Sequence, residues 1–100
     1  MIEHLVFFRC RATVTPEVRG RIIRDFDALQ GVIPGLLEVC IAGNTSAETE
    51  FRHGYDLGLR MRFVDRAHLH AYLEHPAHRA VADLVLPAVE DIAVCDLDLA

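Results

Sequence analysis

One short segment concentrates side chains able to do chemistry: Tyr72, His75 and His78, set around Pro76. On an unbroken helix Tyr72 and His78 would point about 240° apart and lie roughly 9 Å apart along the axis, too far to share a small site. Pro76 cannot sit inside a helix without breaking it, so the pattern predicts one helix over 66–74 and a second restarting at Pro76. The break lets both side chains face the same interior space. With Pro76 as first helical residue, His78 is the third, where the positive field of the helix start disfavours imidazolium and keeps the ring neutral at pH 7. A neutral imidazole can act as a general base, and a tyrosine hydroxyl can hold or protonate a carbonyl oxygen. Such a pair suits proton abstraction beside a carbonyl, followed by intramolecular aldol closure or isomerisation, with no metal or organic cofactor. The same residues also have plain structural uses: a histidine after a proline caps or packs a helix start, and tyrosine is a common core residue.

Other reactive residues promise less. His75 reads as an N-cap or surface residue, and His68 and His70, two apart on a helix, turn away from each other as solvated groups. A metal site built from His75 and His78 lacks a third ligand, and no catalytic Ser-His-Asp order, P-loop or glycine-rich nucleotide turn is present. The three cysteines, Cys10, Cys40 and Cys95, lie in strand-like runs without Cys-x-x-Cys spacing. They read as buried, reduced thiols acting as small hydrophobes.

The elements that must position these groups follow from apolar spacing. Residues 2–10 (IEHLVFFRC) are apolar on both faces, with Ile2, Val6 and Phe8 on one side and Leu5 and Phe7 on the other. Thr15-Pro16-Glu17 opens a helix as N-cap, first-turn proline and first-turn acid. Its stripe of Val18, Ile22, Ile23, Phe26 and Leu29 ends at Gly31 and the Pro34-Gly35 pair. A second strand over 36–43 and a polar loop over 44–53 follow. Residues 54–63 alternate most cleanly, with Tyr55, Leu57, Leu59, Met61 and Phe63 on one face. Asp65 caps the helix over 66–74, the second helix runs from Pro76 to about Leu86, and 91–99 forms a last strand. The order is β-α-β-β-α-β, an α+β ferredoxin-like arrangement in which both helices cover one face of a four-stranded antiparallel sheet. Ile22, Ile23, Phe26, Leu59, Leu73, Val81, Val89 and Val94 would line a pocket between helices and sheet, or equally fill a plain core. The other sheet face would be bare and apolar, an interaction surface that a second copy covers economically by packing sheet against sheet about a two-fold axis.

A chain of 100 residues is one domain's worth, spanning 1–100, and 52% of it is apolar. That excess points to a ligand cavity or a subunit interface. No apolar run reaches the roughly 18 residues of a membrane span. The start Met-Ile-Glu-His lacks the marks of a signal peptide, so the cytoplasm is the default location. A formal charge of −5, with no lysine and ten scattered arginines, argues against nucleic acid as a partner.

Several stretches together carry a resemblance: Met1-Ile2-x-His4-Leu5-Val6-x-Phe8, Ile33-Pro34-Gly35, His53-Gly54-Tyr55-Asp56, Pro87-x-Val89-Glu90-Asp91-Ile92 and, most specifically, Ala71-Tyr72-Leu73-Glu74-His75-Pro76-Ala77-His78. Across essentially its whole length the chain resembles the stress-responsive A/B barrel (Dabb) family. The resemblance implies a dimeric ferredoxin-like α/β barrel. The functions it implies are mixed, spanning oligomeric plant stress proteins and a plant polyketide cyclase of the olivetolic acid type. Tyr72 and His78 match the tyrosine and histidine that line the cyclase pocket, and His4 matches a strand histidine there, or is simply a satisfied core histidine. A further histidine of that enzyme, on the third strand, corresponds to Leu57. The reading is therefore a homodimer with an apolar pocket for a small carbonyl, polyketide-like or aromatic compound, acting as a cofactor-free cyclase or isomerase. A non-catalytic stress-response or assembly protein with its pocket packed shut, and a ligand-binding module that senses without turnover, are the alternatives.

Overall fold

The computed structural model describes residues 1–99. Strand β1 (Ile2–Cys10) is followed by α1 (Pro16–Asp27), β2 (Leu36–Gly43), a one-turn helix α2 (Thr49–Arg52), β3 (Leu57–Phe63), α3 (Arg66–Leu73), α4 (Pro76–Val85), a 3₁₀ turn over Leu86–Ala88 and β4 (Val89–Asp98). The four strands form one antiparallel sheet in the order β2-β3-β1-β4, with the longer helices on one face. This is the α+β ferredoxin-like arrangement expected from the apolar pattern. No helix among the described residues is long and apolar enough to cross a membrane.

Local chemistry sets the helix starts. The Thr15 hydroxyl accepts from the Val18 amide at 3.2 Å, and the Asp65 carboxylate accepts from the His68 amide at 2.9 Å. His75 caps α4, its Nδ1 accepting from the Ala77 amide at 3.0 Å, with Pro76 in the first turn. Each cap satisfies a donor that has no partner inside the helix.

The core lies between helices and sheet. Ile2, Val6 and Phe8 of β1 and Leu57, Leu59, Met61 and Phe63 of β3 are buried against Ile22, Phe26, Leu69, Tyr72, Val81 and Val85. Leu5 and Phe7 point to the helix-free face, where Phe7 is exposed. That face also carries Glu3, which is buried although charged. Its carboxylate accepts from Arg62 Nε at 2.6 Å, while the Arg60 guanidinium bonds Glu38 at 2.7 Å.

Four expectations change. The loop over 44–53 contains α2, and β3 starts at Leu57 rather than residue 54. The left-handed backbone at His53 (φ 50°) and Gly54 (φ 75°) turns the chain there, and a Cβ on Gly54 would meet the Arg9 side chain at 2.8 Å. His68 is more than a solvated group: it bonds Asp65 through Nδ1 at 2.7 Å and lies over Gly35, where a Cβ would fall 2.4 Å from its ring. The thiols are not uniformly buried. Cys10 is half-buried and its thiol is pushed up to about 11, chiefly by burial, whereas Cys40 and Cys95 are exposed. Cys40 pairs with Arg60 and Cys95 with Leu5, so both occupy the strand phase that faces away from the helices.

Candidate functional site

A cavity of about 400 Å³ opens on the helix side between α3, α4, β1 and β4. Volumes of this order suit a small organic ligand. Of the residues singled out in the sequence, the fold brings His4, Phe26, Leu59, Tyr72, Leu73, His78 and Val94 to this cavity. Ile22, Val81 and Val89 are instead packed into the core, and Ile23 lies half-buried against it; none of the four lines the cavity. Apolar spacing marks the inward stripe of a helix or strand, but not which inward residues border a void.

The break at Pro76 does what the spacing required. Tyr72 sits in the last turn of α3 and His78 at the third position of α4, and their ring centroids lie 4.6 Å apart with the planes at 68°. The Tyr72 ring also stands 6.3 Å from His4, edge-on, and 5.3 Å from Phe63. Tyr72 is therefore the hub of the polar pole, with a histidine on either side.

His4 has a partner that the sequence reading missed. Its Nδ1 lies 2.5 Å from a carboxylate oxygen of Asp96, the residue directly opposite it across the β1–β4 ladder. A carboxylate at Nδ1 holds the proton on that nitrogen, leaving Nε2 of a neutral ring as an acceptor. The available signal was an acid in phase with Ile92 and Val94, an apolar face interrupted by one charge. Val6, Phe8, Ala82, Val85, Leu86 and Ile92 complete the lining and are apolar.

Burial sets the protonation states. Desolvation pulls the His78 imidazolium below its ordinary range, with the Leu73 carbonyl opposing it and the Arg79 guanidinium adding a smaller push in the same direction as burial. Its Nδ1 is buried without a hydrogen-bond partner among the described residues. Desolvation pushes the Tyr72 hydroxyl well above its ordinary range, so it stays protonated. The pole thus combines a neutral base, a neutral donor and a carboxylate-oriented imidazole. That set can take a proton from carbon while holding the neighbouring oxygen.

A second depression, about 530 Å³, lies on the helix-free face among Leu5, Phe7, Cys40, Tyr55 and Arg60. Polar groups there already have partners: Tyr55 donates to Asp91, and Arg60 lies against Glu38.

The family model described as the stress responsive A/B barrel domain matches residues 2–99. A protein from Arabidopsis thaliana of known crystal structure is 21% identical, with a TM-score of 0.90 over 100% of this chain and 96% of that one. A dimeric ferredoxin-like protein from Thermobifida fusca is 26% identical, with a TM-score of 0.85 over 98% of this chain and 90% of that one. A hydroxynitrile lyase from Passiflora edulis is 22% identical, with a TM-score of 0.85 over 99% and 94% of the two chains. No curated protein matches the sequence.

Proposed function

The chain belongs to the stress responsive A/B barrel domain family, and on that footing we propose that it works as a homodimer holding a small carbonyl compound beside Tyr72 and His78, as a cofactor-free aldol-type cyclase or isomerase. His78 takes the proton from the carbon next to the carbonyl. The Tyr72 hydroxyl donates to the carbonyl oxygen as it gains negative charge. The enolate then either attacks a second carbonyl of the same molecule or is reprotonated at a different carbon, and the His78 imidazolium returns the proton. His4, turned by Asp96, offers Nε2 to a hydroxyl or enol proton of the substrate.

The observation that carries this reading is the convergence of Tyr72, His78 and the His4–Asp96 pair on one pole of an otherwise apolar cavity. That a hydroxynitrile lyase shares the fold supports the scaffold's fitness for enzyme chemistry. The dimer is supported by the exposed Phe7 on the helix-free face and by the dimeric protein from Thermobifida fusca.

The test is turnover of a panel of linear poly-β-keto compounds and unsaturated lactones, with melting temperature and dimer content followed in parallel. His78→Ala lowers turnover by about 10²–10⁴, the usual worth of a positioned base. Ligands that bind without any turnover would favour the binding-module reading. A His78→Ala chain that unfolds would make His78 a helix-start residue and end the catalytic reading.

A further inference from the structure

The helix-free face is walled at one end by the segment that joins β2 to β3. Asn44, Ser46, Glu48, Phe51 and Tyr55 of that segment border the depression of about 530 Å³, with Phe7 of the sheet. A body that packs flat on this face therefore meets the segment too. Its most prominent side chain is Phe51, 71% exposed, the highest value of any large apolar residue among those described. One exposed apolar residue needs no explanation by itself, but this one is held out rather than left loose. The Asn44 side-chain amide donates to the Tyr55 carbonyl at 2.8 Å, and the Arg52 guanidinium donates to the Asn44 carbonyl at 3.0 Å. These bonds tie the two ends of the segment together. Tyr55 then ties its base to the sheet, donating to Asp91 of β4 with its ring 6.4 Å from that of Phe7. Beside the raised phenyl the sheet is low: Phe7 faces Gly58 across the β1–β3 ladder, and Gly58 faces Ala42 on β2. A Cβ on Gly58 would meet only the Phe7 ring, at 3.9 Å.

We infer that segment 44–55 is a dimerisation arm, which seats Phe51 against the helix-free face of a second copy of this chain. The inference rests on the proposed homodimer and adds the element and the side chain that anchor it. Charge identifies the occupant. The sheet charges of this face balance, Arg9, Arg60 and Arg62 against Glu3, Glu38 and Asp91, and they lie in ion pairs with one another. The chain as a whole carries −5. Two copies can meet here without the repulsion that the remaining acidic surface would bring, whereas a nucleic acid or a strongly charged protein finds no field to steer it. A face bearing both a protruding phenyl and low, small-residue ground suits a copy of itself. About a two-fold axis both arms engage at once, each copy giving and receiving one phenyl. Aromatic side chains desolvated in this way are the usual anchors of an interface.

The experiment follows Phe51→Trp in the full chain by fluorescence and sedimentation. The chain has no tryptophan of its own, so the introduced indole is the sole reporter of that kind. In the dimer its emission lies to the blue of a hydrated indole, and it moves to the red on dilution to monomer or when Phe7→Asp is added. Phe51→Ser raises the dimer dissociation constant about a hundredfold, because each dimer buries two copies of the side chain and each burial is worth roughly tenfold or more. The fold of the single chain tolerates that change, since Phe51 packs on little of its own chain. A dimer whose indole emits as it does in water, or a Phe51→Ser dimer as tight as the original, would overturn the arm and leave the homodimer standing. An indole equally blue-shifted in the monomer would overturn the arm too, by showing that the side chain rests on its own chain. An unaltered protein that sediments as a monomer at micromolar concentration would overturn arm and homodimer together.

Discussion

The sheet has two faces, each with a depression, and they differ in what is left unsatisfied. On the helix side the polar groups are sparse and one of them, His78 Nδ1, is buried without a hydrogen-bond partner among the described residues. On the helix-free side charges are denser and mostly paired: Glu3 with Arg62 and Arg60, Glu38 with Arg60, and Arg9 with Glu90. Arg9 Nε is nonetheless buried without a well-aligned hydrogen bond among the described residues. What stays open there is hydrocarbon, with Phe7 43% and Leu97 45% exposed. Polar side chains gathered at one end of an otherwise apolar cavity suit a small molecule of matching polarity. Open hydrocarbon framed by self-contained ion pairs is best relieved by another apolar face. On the proposed reading, ligand and partner therefore lie on opposite sides of one sheet.

The strongest way to break this contrast is Phe7→Asp. A charge at the middle of a sheet-to-sheet interface costs on the order of 2–4 kcal/mol, roughly 30- to 1000-fold in the dimer dissociation constant. Sedimentation should then show monomer at micromolar concentration, with the helix-side cavity intact. Thiol labelling sharpens the point. Cys40 and Cys95 should react slowly in the dimer and rapidly in Phe7→Asp. Cys10 should stay slow in both, its thiol pushed up to about 11. Cys40 and Cys95 labelling at the monomer's rate in the unaltered protein would mean that the helix-free face is not covered.

A smaller effect should appear with pH. Burial lowers the His78 pKa below the free-histidine value of about 6.5, so the folded chain binds that proton less readily than the unfolded chain. Stability is fully present above the unfolded value and falls as pH drops through it, levelling off below the folded one. The base stays neutral over the same window, so the acid limb of kcat/KM should lie below pH 6.5 and vanish in His78→Gln. A limb at or above 6.5 would assign the base to another group. The smallest effect is expected from Tyr72→Phe, about 0.5–1.5 kcal/mol for one neutral hydrogen bond. It would be read as a two- to twelvefold fall in kcat/KM with the fold retained. A loss as large as that of His78→Ala would show that substantial charge develops on the oxygen that Tyr72 holds.

Much of this was readable along the chain because it is local. A threonine or aspartate before an apolar run starts a helix wherever it sits, and a proline at position 76 breaks one whatever packs around it. Strict alternation put Leu57, Leu59, Met61 and Phe63 on one face of β3, where the fold keeps them. The tyrosine–histidine pair was legible for the same reason, since the chain between them is only a helix end, a cap and a helix start.

What depended on residues far apart in the chain was decided by the fold alone. Asp96 meets His4 across 92 positions of sequence only because β4 pairs with β1 in that register, and a one-residue slip would have turned it to the opposite face. Ile22, Val81 and Val89 carry the same apolar signal as Phe26, Leu59 and Val94, yet packing closes over the first three and leaves the last three beside a void. Cys40 and Cys95 sit in strand-like apolar runs but face outward, because strand phase fixes a side and only the helices decide which side is the interior. Apolarity along a chain therefore determined which residues turn inward together. Whether they close into a core or open into a cavity rested on β4 lying at the edge of the sheet formed by the described residues.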